Sequence, residues 1–93
     1  MYVKSDLVTL RIFNAYSLKD KRSVLKSIIH KVHNKYNVSI AEVDHHDLHN
    51  QADLGIAIVG NQMGICDKIF QDIIAFIEYN YPAEILEITP YAH

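Results

Sequence analysis

The 93-residue chain carries nine Lys and Arg against eleven Asp and Glu, a net charge of −2, with 49% apolar residues and a single cysteine. These values specify one globular domain over 1–93, with room for a single core, and exclude a disordered tail. No apolar run is long enough for a membrane span, the N-terminus MYVKSDLV lacks the features of a secretory signal, and Cys66 has no partner for an internal disulfide; the expected location is the cytoplasm.

From Tyr2 to Phe13 the residues alternate as in a strand, with Val8, Leu10 and Ile12 on one face and Leu7, Thr9, Arg11 and Phe13 on the other. Ser17 supplies an N-cap and Asp20 its capping-box partner. Leu18, Leu25, Ile28, Ile29, Val32 and Tyr36 then trace the buried stripe of a helix that ends at Asn37. Val38 to Asp44 reads as a second strand, and Leu54 to Val59, apolar on both sides, as a third. Gly60 to Gly64 breaks the chain before a second helix from about Ile65 to Tyr81, whose stripe is Ile65, Ile69, Phe70, Ile73, Ile74, Phe76, Ile77 and Tyr81. Pro82 stops it, and Glu84 to Thr89 forms the last strand. Cys66 falls beside Ile69, Ile73 and Ile77, which makes it a small core residue rather than a thiolate activated by the helix start.

The order β-α-β-β-α-β predicts an α+β fold, a ferredoxin-like sandwich in which two helices cover one face of a four-stranded antiparallel sheet. The right-handed crossover rule places the first and third strands at the centre and the second and fourth at the edges. Leu7, Phe13, Ala57 and Val59 then lie on an uncovered sheet face, and an apolar patch of that kind predicts self-association into a homo-oligomer.

The segment Ser17 to Tyr36 holds six of the nine Lys and Arg residues and only one acid, Asp20, so it is +5 in a chain of net −2 and leaves −7 for the rest. On a helix, Lys19, Arg22, Lys26, His30 and His33 fall within about 80° of one another, a ridge about 21 Å long opposite the buried stripe, flanked by Lys31 and Lys35. Such spacing suits the phosphates of an RNA strand. The alternative is a solvated face whose charges pair with acids on neighbouring elements. Lys19, Lys21 and Arg22 also crowd the positive end of the helix dipole, at a cost of roughly 0.3–1 kcal/mol each unless a bound anion or a carboxylate compensates. That carboxylate could be Glu42 or Asp44 on the second strand, or belong to a second subunit; Lys21, which falls in phase with the apolar residues, needs a defined partner or must snorkel past the helix end.

The stretch Asp44-His45-His46-Asp47-Leu48-His49 has donors that suit zinc, nickel or manganese. His45 and His46 point to opposite faces if extended, whereas His46, Asp47 and His49 can converge in a turn, so these three are the metal-ligand candidates. A polar loop that is merely rich in histidine is the competing reading. There is no phosphate-binding glycine loop, no nucleophile elbow and no dinucleotide fingerprint among Gly55, Gly60 and Gly64, so neither a catalytic residue nor a cofactor is indicated. Base stacking on the open sheet face is not expected, since Gly55, Ala57 and Val59 occupy the third strand's open side and Phe13 is the one good aromatic candidate there.

Ser17-Leu18-Lys19-Asp20-Lys21-Arg22, then Asn37-Val38-Ser39-Ile40-Ala41-Glu42-Val43, then Leu54-Gly55-Ile56-Ala57-Ile58-Val59 resemble in order and spacing the YlxP-like family of small bacterial proteins, a domain of unknown function. The resemblance implies a ferredoxin-like domain that associates with itself, and a link to ribosomes or translation through the genes that neighbour such proteins. One departure is local: where relatives read Q-D-L-W-Q, this chain reads His46-Asp47-Leu48-His49-Asn50, with His49 in place of the aromatic.

The leading reading is a non-enzymatic protein that contacts ribosomal or other structured RNA through Lys19, Lys21, Arg22, Lys26, His30 and His33. The second is a protein-interaction module that self-associates and docks an acidic partner. A small metal- or anion-binding enzyme built on His46, Asp47 and His49 is the third.

Overall fold

A computed structural model of the chain describes residues 1–91. The elements are β1 (Tyr2–Ile12), α1 (Leu18–Lys35), β2 (Ser39–Asp44), β3 (Gln51–Gly60), α2 (Met63–Asn80) and β4 (Ala83–Pro90). They form one antiparallel sheet in the order β2-β3-β1-β4, with β1 and β3 central as expected. Both helices lie on one face of it, α1 over β2 and α2 over β1, β3 and β4. This is the ferredoxin-like α+β sandwich predicted from the element order.

Strand alternation divides the residues as the sequence requires. Val8, Leu10 and Ile12 of β1 and Leu54, Ile56 and Ile58 of β3 point under the helices and are buried. They meet Leu25, Ile28 and Val32 of α1 and Cys66, Phe70, Ile73, Ile74 and Ile77 of α2 in one core. Cys66 is fully buried there. On the uncovered face, Leu7 pairs with Gly55 and Ser5 with Ala57, which leaves Val3, Val59 and Phe13 exposed.

α1 begins as a capping box: Asp20 N–H donates to Ser17 Oγ at 3.1 Å. The Asp20 carboxylate accepts from Tyr16 N–H, one residue before the cap, at 3.1 Å. α2 starts two residues earlier than its apolar stripe indicated, at Met63, from Gln62 without a side-chain cap. Ile65, placed in that stripe from the sequence, is 45% exposed. The buried face runs through Cys66, Phe70, Ile73 and Ile77, and Ile65 precedes it on the solvent side of the first turn.

The largest departure is at the start of β3, which begins at Gln51 rather than Leu54. Gln51, Ala52 and Asp53 look like loop residues, yet β1 is long enough to pair with all three, through Arg11, Leu10 and Thr9. Tertiary pairing overrides their weak strand preference. Against β2 the same strand carries a bulge, because Glu42 pairs with Leu54 and Asp44 with Asp53, leaving Val43 as the extra residue.

Candidate functional site

Two polar regions flank β2, one on the surface of α1 and one at the bulge.

On α1, Lys19, Arg22, Lys26, His30 and His33 are all exposed on the face away from the core. Arg22, Lys26, His30 and His33 line a shallow groove of about 450 Å³ with Leu25 and Ile29, bounded by Glu42 of β2. Among the described residues, Lys19, Arg22 and Lys26 form no salt bridge, although ion pairs hold Lys4, Lys21 and Lys68. His30 Nε2 meets Asn34 Nδ2 at 3.1 Å. Lys35 lies apart from the ridge, its ammonium 4.8 Å from the Phe76 ring centre, where it covers aromatic surface.

Lys21 leaves this set. Its side chain is fully buried, with Nζ 3.0 Å from Glu42 Oε2 and donating to the His45 carbonyl. It therefore presents no charge to an external anion, and the site expected from the first turn of α1 reduces to Lys19 and Arg22. The apolar phase of Lys21 had marked it as a residue needing a partner, and Glu42 is that partner.

At the bulge, Asp44, His45 and Asp53 come together, with one donor atom from each lying within 4.8 Å of the others. His45 takes a left-handed backbone conformation with φ 58°, which turns the chain out of β2. Its N–H donates to Asp44 Oδ1 at 2.7 Å, and its ring Nδ1 lies 2.9 Å from Asp53 Oδ2. Asp53 is 4% exposed.

The metal ligands expected from the sequence fall elsewhere. His46, Asp47 and His49 occupy the exposed turn that follows, and the only group of three candidate ligands gathered among the described residues is Asp44, His45 and Asp53. Asp53 is distant in the linear motif and was not seen there. It is set opposite Asp44 by the β3 residues that precede Leu54 together with the bulge at Val43.

No helix among the described residues is long and apolar enough to cross a membrane. Residues 3–90 match the family model described as "Protein of unknown function (DUF503)". The chain is 43% identical over 67 residues to "Uncharacterized protein YlxP" of Bacillus subtilis (strain 168), covering 72% of this chain and 73% of that protein. A solved structure of a de novo designed protein with a ferredoxin fold aligns with a TM-score of 0.66 and 14% identity, over 100% of this chain and 88% of the designed one. That likeness concerns the fold alone.

Proposed function

The chain belongs to the DUF503 family of proteins of unknown function, and from that premise we propose that it is a non-enzymatic protein that binds structured RNA, ribosomal RNA in the first instance, through α1. The observation that carries this reading is the set of exposed cations on α1 without acidic partners. Because no acid neutralises them, these cations stay available to an external anion, whereas the one lysine of α1 that has such a partner, Lys21, is buried. Lys19, Arg22 and Lys26 rise along the helix at intervals suited to successive phosphates, and His30 and His33 extend the same face. Contacts of this type fix a backbone without reading bases, so the expected binding is salt-sensitive and weakly sequence-specific.

The test is fluorescence-anisotropy titration of a structured ribosomal RNA fragment at two salt concentrations, comparing the native chain with Lys19→Glu/Arg22→Glu. Loss of two phosphate contacts is expected to weaken binding by about tenfold or more and to lower the slope of log affinity against log salt by about 2. Equal affinity and slope in the two proteins would sink the α1 reading.

A second reading, self-association, is favoured by the uncovered sheet face. Val3, Val43 and Val59 are 43%, 50% and 61% exposed there. A shallow depression of about 810 Å³ runs beside them past Leu7, Ala41, Gly55 and Ala57. Contiguous apolar surface of this kind is characteristic of an interface, and the depression reaches round the β2 edge to Ile29 and His33 of α1, so the two surfaces meet at His33 while Lys19, Arg22 and Lys26 lie outside it.

A further inference from the structure

We propose that Asp44, His45 and Asp53 form a binding site for a divalent transition-metal cation at the β2 bulge. Three observations converge on it.

The first is charge. Lys21 and Glu42 neutralise each other at 3.0 Å, which leaves Asp44 and Asp53 as two negative charges against one imidazole. Even a protonated His45 leaves the group at −1. The bulge enforces this arrangement, because it sets Asp44 directly across the ladder from Asp53. Like charges in directly opposed positions are destabilising unless a cation lies between them.

The second is an unmet donor requirement. Asp53 Oδ1 is buried and accepts no hydrogen bond, in a side chain only 6% exposed. A buried carboxylate oxygen without a partner costs free energy that coordination would recover. His45 Nδ1 is buried as well and, despite its 2.9 Å approach to Asp53 Oδ2, is not aligned to donate to it.

The third is the separation itself. Two donors bound to one ion at about 2.1 Å lie about 3.0 Å apart at the right angle of an octahedral site and about 3.4 Å apart in a tetrahedral one. The Nδ1 to Oδ2 distance of 2.9 Å matches the octahedral spacing, and the Asp44 donor lies within 4.8 Å of both, near enough for a side-chain rotation to bring it onto the same ion. Asp44 is exposed and the His45 side chain is 36% exposed, so water has access to the remaining coordination positions. One imidazole with two carboxylates suits zinc, nickel or manganese rather than magnesium or calcium, which favour all-oxygen sites.

The site shares no residue with the RNA-binding ridge, so either reading can fail alone. The experiment is calorimetric titration of the full chain, stripped with chelator and desalted, with zinc chloride and then manganese chloride, alongside thermal denaturation with and without each salt. The expected result is one ion per chain and a raised melting temperature, with affinity lowered at least tenfold in His45→Ala and in Asp53→Asn. Asp44→Asn changes an exposed side chain, so it keeps the test informative if Asp53→Asn folds poorly. It should lower affinity as well. His46→Ala/His49→Ala should bind as the native chain does. No binding, or binding that survives Asp44→Asn and His45→Ala but is lost in His46→Ala/His49→Ala, would overturn the assignment, the second result locating the ion on the exposed turn.

Discussion

Among the described residues Lys21 is the most deeply buried charged one, its ammonium held in the first turn of α1 at the positive end of the helix dipole, where burial and dipole both oppose it. Its two partners, Glu42 and the His45 carbonyl, join α1 to β2 and to the turn beyond it. Removing one member of such a pair strands the other. Lys21→Met is expected to cost about 3 kcal/mol, the lower end of the range for broken buried pairs, since the Glu42 side chain keeps 18% exposure. Lys21→Met/Glu42→Leu should recover much of that loss, and urea denaturation of the single and double variants checks both expectations. Lys21 was legible in the sequence because its helical phase lies among apolar residues, where a charge demands a partner. Asp53 was not. Its environment comes from a strand partner and a bulge, and neither leaves a trace in local periodicity.

At the scale of elements, the close approach of β3 to α2 depends on Gly60. A Cβ at Gly60 would lie 2.7 Å from Cys66 Sγ, closer than real Cβ contacts allow. Since no glycine has positive φ, the requirement is one of space rather than of backbone freedom. Gly60→Ala is therefore expected to destabilise the protein by about 1–3 kcal/mol through overpacking. Because the clash is with one sulfur, Gly60→Ala/Cys66→Ala should be more stable than the sum of the two single losses predicts, by roughly 0.5 kcal/mol or more in a double-mutant cycle. Equal, additive losses would mean that the strand and helix separate by another route. The elements themselves were readable where periodicity was strong: Leu25, Ile28 and Val32 mark the buried face of α1, and Phe70, Ile73 and Ile77 that of α2. They were misread where it was weak, as at Gln51 to Asp53, and where an apolar residue such as Ile65 stood outside the packed face.

At the scale of the whole molecule, charge gathers toward the two edges of the sheet: Glu84 and Glu87 of β4 share the uncovered face with Arg11 and Thr9, which they pair with. α1 carries +5 beside the β2 edge, whereas Asp67, Asp72, Glu78, Glu84 and Glu87 lie on α2 and β4 toward the other edge. The uncovered sheet face between these edges is largely uncharged in its middle, where Ser5, Leu7, Gly55 and Ala57 lie across from one another. Two modes of self-association follow, and salt separates them. Docking of a basic α1 onto the acidic edge of another copy depends on charges screened within a Debye length, which falls from about 14 Å at roughly 0.05 M salt to about 4 Å at roughly 0.5 M. Packing of two open faces rests on apolar burial and persists through that change. The exposed valines and the depression beside them favour face packing. Sedimentation velocity is therefore expected to give about twice the 10.7 kDa chain mass at both salt concentrations, with Ala57→Glu monomeric at both. Ala57 is half-buried in the middle of that face, across from Ser5, and a carboxylate there would lose its water if a second copy packed against it. A native chain that is dimeric only at low salt would transfer self-association to the charged edges. In that case the RNA and a second copy would compete for Lys19, Arg22 and Lys26, and RNA binding would dissociate the dimer.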